Sequence, residues 1–269
     1  MTAIHQMTIR RGKMCEIFGV SSRERRDYTK LLGEFFSHSD VNPHGFGIAS
    51  IKDGKPVIVK EPVRASESGM LEDVMKRFSS EDLLLAHIRL ATKGQISMEN
   101  THPFTMEDDA GTDWTLVHNG TIFESSELSR YCHTQKGETD SERILCFLTD
   151  LINEAASEGP LSDVDRIRIV EDMMFRITPE NKVNILISDG RLLYAHTNFR
   201  ESMYMMKREG DVVISSRPLT ERDEWEELPL DTLLVFRQGE KIYKGSPHGN
   251  EFFETEEKMR FLFLDYAGM

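Results

Sequence analysis

The sequence predicts an α+β fold in a single domain. Strand-like segments come early and late in the chain of 269 residues, and two long helix-like segments lie in the middle. Two of the strand-like runs are too apolar for strands with one face in water, which indicates strands buried within a layered sheet. We therefore expect two packed sheets whose outer faces are covered by helices.

In the first half, residues 23–37 carry apolar side chains at helical spacing and predict an amphipathic helix. The runs GFGIASI and PVIVKE flank Asp53-Gly54, a strong short-range signal for a β-hairpin. A short helix is predicted around Leu71–Phe78. The two buried strands, DLLLAHIRLA and WTLVHNGTI, follow, and a polar loop over residues 92–113 separates them.

In the second half, Thr139 followed by Glu142 three residues later is a typical helix start. It predicts a long helix over residues 139–156, and residues 161–177 predict a second helix antiparallel to it. A hairpin is predicted around Asp189-Gly190, and the runs DVVISS and DTLLVFRQGEKIYKG predict the last strands. Residues 254–266 have the pattern of an amphipathic closing helix.

Charge and cysteine content exclude several classes of protein. The net charge is −13 and the only basic cluster lies in residues 23–26, so we expect no nucleic-acid partner. No apolar run approaches the length of a membrane span, and the first fourteen residues do not resemble a secretory signal. The three cysteines, Cys15, Cys132 and Cys146, are too widely spaced for a disulfide framework or a zinc ribbon. A reducing cytoplasm is the simplest location.

Four short segments contain residue types that could perform chemistry. They are MCEIFGV, AHIRLATKG with NTHPF, LVHNG, and GETDSE. Each has an ordinary explanation when it is considered alone. Cys15 could be a core residue, Arg89 a surface ion-pair partner, Asn119-Gly120 a turn, and Asp140 a helix-start residue.

Considered together, the four segments have the groups that amide hydrolysis requires. A terminal Cys15 would have a thiol nucleophile and its own α-amine as the base, with a reference pKa of about 8. The Asn119 amide and the Gly120 N–H could bind the oxyanion of the tetrahedral intermediate. Arg89 has a planar fork suited to the α-carboxylate of glutamine, and Asp140 could receive the α-ammonium.

The same segments resemble the class II glutamine amidotransferase family, most closely its stand-alone, YafJ-type members. The resemblance runs from Cys15 to about Phe236 and includes NPHGFGIA, VNILISDGR and SSRPLTERDEW. It implies the four-layer αββα sandwich of N-terminal-nucleophile hydrolases. It also implies the roles given above for Cys15, Arg89, Asp140, Asn119 and Gly120.

The resemblance implies a lesser role for Thr92, which would help to hold the carboxylate or the loop behind it. Two departures stand in NPHGFG, where the family usually has Asp and Trp in place of His44 and Phe46; a different pocket shape is expected there. We expect no cofactor and no metal. The histidines His87, His102 and His118 lack zinc-binding spacing and are interpreted as structural.

The first fourteen residues conflict with this mechanism, because the nitrogen of an internal Cys15 is an amide without useful basicity. We therefore divide the chain into an extension, residues 1–14, and a single domain, residues 15–269. Translation could begin at Met14, or the extension could be a cleaved propeptide, or it could stay in a silent binding protein. We favour a start at Met14.

The sequence predicts a glutamine amidotransferase-type amidohydrolase that releases ammonia and glutamate through a thioester. The ammonia would pass to a separate partner protein or would not be the useful product. Two alternatives stay open: a γ-glutamyl amide hydrolase that acts on a modified metabolite, and a catalytically silent glutamine-binding regulatory protein. A papain-like protease is the weakest rival, because its nucleophile begins a helix.

Overall fold

In this computed structural model, residues 14–92, 94–258 and 260 are described. These residues form thirteen strands and five α-helices, with three short 3₁₀ turns. The strands are β1 (Glu16–Asp27), β2 (Phe46–Lys52), β3 (Lys55–Glu61), β4 (Ser80–Ile88), β5 (Phe104–Glu107), β6 (Asp113–His118), β7 (Ile185–Ser188), β8 (Leu193–His196), β9 (Tyr204–Arg208), β10 (Asp211–Ser215), β11 (Trp225–Glu227), β12 (Leu234–Arg237) and β13 (Glu240–Lys244). The helices are α1 (Thr29–Ser37), α2 (Leu71–Phe78), α3 (Ser126–Ser129), α4 (Asp140–Ala156) and α5 (Asp163–Ile177).

The strands form two antiparallel sheets. The first sheet has seven strands in the order β11-β9-β10-β1-β4-β2-β3, and the second has six in the order β13-β12-β8-β7-β6-β5. Strand β1 lies in the middle of the first sheet, where Phe18 is paired with Ser215 of β10 and with Ala86 of β4. The residue that precedes β1 is therefore held at the end of a central strand.

Three apolar clusters separate four layers. Between the two sheets, Ile17 and Leu85 of the first sheet belong to the same cluster as Leu186 of the second. Helices α1 and α2 cover the outer face of the first sheet, and α4 and α5 cover the outer face of the second. This arrangement confirms the predicted α+β class and the αββα sandwich. Within the described residues, no helix is both long and apolar enough to cross a membrane.

The helix predicted over residues 23–37 is wrong in its first part. Strand β1 continues to Asp27, and α1 begins only at Thr29. The polar end of β1 pairs with the start of β4, where Arg26 lies opposite Glu81, so sheet pairing overrides the helical pattern of these charged residues. The predicted apolar side is confirmed, since Leu31, Leu32, Phe35 and Phe36 are buried.

The turn and cap signals are largely confirmed. Asp53 and Gly54 have φ values of 50° and 79° and connect β2 to β3. Thr139 caps α4 by accepting a hydrogen bond from the Glu142 N–H. The Glu142 carboxylate does not bond back to the cap; it accepts from the backbone N–H groups of Lys136 and Gly137, so it shapes the loop before the helix.

Two further predictions concern less regular parts of the chain. The polar loop over residues 92–113 contains an unpredicted edge strand, β5, which pairs with β6. The closing helix predicted over residues 254–266 falls mostly outside the described residues.

Candidate active site

Cys15 lies immediately before β1, next to the end of β4. Its Sγ is 3.2 Å from both the carbonyl oxygen and the nitrogen of Leu90, donating to the former and accepting from the latter. Burial raises the pKa of the thiol, and the hydrogen bond from the Leu90 N–H and the nearby Arg89 charge offset this only in part. Cys15 is therefore a thiol near neutral pH, and to act as a nucleophile it would need a base to take its proton.

Asn119, just after β6, is connected to the nucleophile strand through one hydroxyl group. The Oγ of Ser216 accepts hydrogen bonds from the Ile17 N–H at 2.9 Å and from the Asn119 Nδ2 at 3.3 Å. The Ser216 N–H in turn donates to the Ile17 carbonyl at 3.0 Å. Ser216 therefore orients the Asn119 amide relative to the strand that carries Cys15.

Gly120 packs against the backbone of Lys182. A Cβ at position 120 would be 2.0 Å from the Lys182 carbonyl oxygen and 2.3 Å from the His118 Nε2. Glycine is required here by this contact. Within the described residues the Gly120 N–H has no hydrogen-bond acceptor, so it remains available as a donor.

The Arg89 side chain, at the end of β4, is buried and holds the loop that follows it. Its Nη1 donates to the Gln95 carbonyl at 3.0 Å, and its Nη2 donates to the Gly94 carbonyl at 3.1 Å. The fork predicted to bind a carboxylate is thus engaged by backbone oxygens in this structure. Thr92 is half-buried at the start of this loop.

Asp140, the first residue of α4, connects the helix to the segment after Gly120. Its carboxylate accepts a hydrogen bond from the Ile122 N–H at 2.8 Å. Two residues earlier, the Glu138 carboxylate accepts from the Gln95 N–H at 2.8 Å and from the Asn100 amide at 3.2 Å. The loop held by Arg89 and the start of α4 are therefore joined, as two clamps on one substrate would require.

A cavity of 410 Å³ opens beside the nucleophile, and both Cys15 and Asn119 line it. The remaining lining residues are Met14, Glu16, Val41, Asn42, Phe199, Glu201, Ser202, Tyr204, Ser216, Arg217, Pro218 and Glu254. Arg89, Thr92, Gly120 and Asp140 do not line it. The predicted clamps therefore lie outside this cavity, although the charges of Arg89 and Asp140 both act on Cys15.

The two residues that depart from the family pattern have different positions. The Nδ1 of His44 accepts a hydrogen bond from the Ala91 N–H at 2.9 Å, next to the Arg89 loop. Phe46 is fully buried and packs against Phe36 with ring centroids 5.7 Å apart, so it belongs to the outer core below α1. Neither residue lines the 410 Å³ cavity, and His44 is the one that contacts the segment after Arg89.

The three histidines of the motifs are buried, and burial lowers the pKa of each, so they are neutral. The rings of His87 and His102 stack with centroids 4.1 Å apart. His118 contacts the Ser141 hydroxyl and the Lys182 carbonyl through its two nitrogens. Among the described residues, no group of three or more His, Cys, Asp or Glu side chains is arranged to hold a metal ion.

The sequence interpretation missed three polar groups near Cys15. Ser216 lies in the SSRPLTERDEW segment, which contributes to the family resemblance but contains none of the predicted site residues. Glu16 is buried and accepts hydrogen bonds from Arg217 and from His38. Lys182 is buried just before the apolar strand β7. Because lysine is rarely buried, a lysine beside an apolar run was the feature of the sequence that could have identified this residue.

Comparison with known proteins identifies the family to which the chain is similar. The sequence profile of the glutamine amidotransferases class-II matches residues 14–210. An uncharacterized protein of Methanocaldococcus jannaschii is 30% identical over 259 residues, covering 86% of this chain and 71% of its own length. The YafJ protein of Escherichia coli is 26% identical over 255 residues, covering 85% of this chain and 100% of its own.

A solved structure is similar as well. The glutamine phosphoribosylpyrophosphate amidotransferase of B. subtilis superposes with a TM-score of 0.64 at 14% identity, over 87% of this chain and 49% of that one. At this identity the similarity concerns the fold alone.

Proposed function

The chain belongs to the class II glutamine amidotransferase family, and we propose that it hydrolyses the side-chain amide of glutamine through a thioester on Cys15. The observation that carries this proposal is the link through Ser216. One hydroxyl joins the strand of the nucleophile to the Asn119 amide, and both Cys15 and Asn119 lie on the same cavity. A nucleophile and an oxyanion donor fixed to each other in advance suit acyl transfer.

The proposed reaction proceeds in two halves. In the first, the α-amine of Cys15 accepts the thiol proton while Sγ attacks the amide carbon, and the oxyanion is bound by the Asn119 amide and the Gly120 N–H. The C–N bond then breaks, the proton passes to the departing nitrogen, and ammonia leaves. In the second half, water attacks the thioester, which releases glutamate and restores the thiol.

The proposed substrate clamps are Arg89 for the α-carboxylate and Asp140 for the α-ammonium, with Thr92 supporting the loop. In this role Arg89 exchanges its bonds to the Gly94 and Gln95 carbonyls for bonds to the carboxylate. The joining of the two clamp segments through Glu138 and Asn100 supports the assignment.

The mechanism requires a free α-amine on Cys15, so we propose that the working protein begins at that residue. The raised pKa of the buried thiol supports this requirement, because no thiolate forms near neutral pH without a base. The intact mass of protein from its native host tests the proposal. Protein that retains residues 1–14 while it hydrolyses glutamine would exclude the α-amine as the base.

The activity is tested with glutamine and a coupled ammonia assay on protein with Cys15 at its terminus. Cys15→Ala should abolish ammonia release and leave the unfolding midpoint unchanged. Cys132→Ala is the matched control, because Cys132 is exposed, and it should retain full activity. A diazoketone analogue of glutamine should label Cys15. If the wild-type protein binds glutamine yet neither releases ammonia nor takes the label, it is a silent glutamine-binding protein.

The 410 Å³ cavity favours a second candidate, a γ-glutamyl amide hydrolase. This space is far larger than ammonia needs and has both Arg217 and Glu201 on its lining, so it could hold a polar amine larger than ammonia. Comparison of kcat/KM for glutamine with that for a panel of γ-glutamyl amides separates the candidates. A preference for glutamine of tenfold or more would exclude the second one.

For glutamine hydrolysis, we propose that a separate protein accepts the ammonia. Within the described residues, strands β10 to β13 belong to the two sheets of the sandwich, so this part of the chain forms no acceptor domain. Co-purification from the native host, followed by an ammonia-transfer assay with the captured protein, tests it.

A further inference from the structure

Lys182 places a buried amine beside the residue that precedes the nucleophile. Its side chain is almost fully buried, and its Nζ lies 2.7 Å from the Met14 Sδ and 4.2 Å from the centre of the Phe199 ring. A thioether and an aromatic ring are weak partners for an ammonium group. Burial accordingly lowers the pKa of Lys182 to about 7, against the smaller opposing effects of Glu254 and Cys15.

The backbone of Lys182 is fixed to the oxyanion segment. Its N–H donates to the Thr121 carbonyl at 3.1 Å, and its carbonyl accepts from the Thr121 N–H at 3.0 Å. The same carbonyl oxygen contacts the His118 ring and packs against the Cα of Gly120. The Lys182 amine is therefore held on a rigid support that also carries the proposed oxyanion donors.

Covalent geometry limits the distance between the Lys182 amine and the nitrogen of Cys15. Five bonds join that nitrogen to the Met14 Sδ, so the two atoms are at most about 6 Å apart. The Nζ of Lys182 then lies within about 9 Å of the Cys15 nitrogen.

We propose that Lys182 is a positioning residue whose charge is electrostatically coupled to that of the Cys15 α-amine, so that near neutral pH only one of the two nitrogens is charged. This inference rests on the proposed function, because the α-amine acts as the base only in that mechanism. Two like charges at this separation in a buried site resist each other, and the pair therefore gains its two protons in well-separated steps.

The other charged groups around the Lys182 amine and the Cys15 α-amine do not remove the coupling between them. Glu254 is the carboxylate that favours a charge on Lys182. Arg89 lowers the pKa of the Cys15 thiol, and Asp140 raises it. The thiol of Cys15 is protonated because it is buried, and His118, behind the Lys182 carbonyl, is neutral. The consequence is an α-amine that stays a free base at a lower pH than an isolated one.

The first test is the pH dependence of kcat/KM, which reports the essential groups of the free enzyme. In Lys182→Met the positive charge at residue 182 is absent. The α-ammonium of Cys15 should then lose its proton less readily, so its pKa should be higher. The acid limb should move up by on the order of one pH unit, which lowers kcat/KM at pH 7 up to about tenfold. At pH 9 the variant should match the wild type. Lys182→Arg, which keeps the charge, should not move the limb upward.

Lys76→Met is the matched control, because Lys76 is exposed on α2 and pairs with Glu72 of its own helix; its profile should be unchanged. If Lys182→Met fails to fold, Lys182→Gln takes its place as the neutral variant. The proposal is overturned if the acid limb of the kcat/KM profile lies at the same pH in the wild type and in the neutral variant. A uniform loss at every pH also overturns it, because it indicates a packing role alone.

The second test does not depend on turnover. Acylation of the Cys15 α-amine by an amine-selective reagent is followed across pH, and peptide mapping separates it from acylation of lysines. The midpoint should rise by on the order of one unit in Lys182→Met. An unchanged midpoint overturns the proposal even if glutamine is hydrolysed. A raised midpoint in a protein that hydrolyses no amide would instead uphold it while the proposed function fails.

Discussion

Gly120 and the carbonyl of Lys182 are so close that no side chain fits between them. A Cβ on residue 120 would be 2.0 Å from that oxygen, and the oxygen belongs to a backbone bridge between Lys182 and Thr121 that cannot easily move. The segment that carries the proposed oxyanion donors is thus placed by its contact with Lys182.

Gly120→Ala should therefore force the two backbones apart. We expect a loss of about 1–3 kcal/mol in the free energy of unfolding, as for other overpacked sites, and a fall in kcat of at least about tenfold. Urea unfolding and the ammonia assay measure the two effects. Gly33→Ala is the control: its Cβ would meet nothing, and in the middle of α1 it should stabilise by about 0.5–1 kcal/mol. Equal stability of Gly120→Ala and wild type would contradict the contact.

Asn119→Ala should remove one oxyanion donor. The expected loss in kcat is about 10²–10³-fold with little change in KM, because the donor acts mainly on charge that develops in the transition state. Steady-state kinetics with glutamine measure both constants. Labelling of Cys15 by a simple alkylating agent is the control and should be unaffected. A loss expressed in KM alone would assign Asn119 to substrate binding instead.

Arg89→Lys should raise KM, because a single ammonium cannot replace the two parallel donors of the guanidinium. We expect an increase of about tenfold, together with faster amide exchange or proteolysis in the loop over residues 92–100. Arg208→Lys, in a surface ion pair with Asp223, is the control and should behave as wild type. An unchanged KM would show that Arg89 only supports the loop.

His38 should make stability depend on pH. The hydrogen bond to Glu16 raises the pKa of His38, with a smaller contribution from Glu34, whereas burial and the Arg217 charge oppose it. Because the folded protein holds the proton more tightly, the stabilisation is complete below the ordinary pKa of 6.5 and is lost as pH rises through the raised value.

His38→Gln should therefore be less stable than wild type by about 0.5–1 kcal/mol at pH 5.5, with a smaller difference at pH 9. Urea unfolding at the two pH values measures this. A difference that grows with pH would mean that the neutral ring, and not its charge, is what stabilises the fold.

Local patterns predicted much of the fold because their causes are local. Asp53-Gly54 can adopt the positive φ angles of a tight hairpin, and Thr139 can cap the helix that follows it, whatever the remainder of the chain does. The prediction failed where pairing partners decide the structure. The last residues of β1 have a helical pattern but lie beside β4, and β5 exists only because β6 offers it an edge.

The candidate site shows the same division between features with a local cause and features that depend on distant parts of the chain. The nucleophile, oxyanion and clamp candidates could be identified from the sequence because each of them stands in a short motif, and the same motifs imply the αββα class. The contacts of Ser216 with Asn119 and of Lys182 with Met14 join residues that are 97 and 168 positions apart, and no local pattern predicts them. These contacts depend on the order of the strands, with β1 between β10 and β4, and strand order results from pairing and burial over the whole chain.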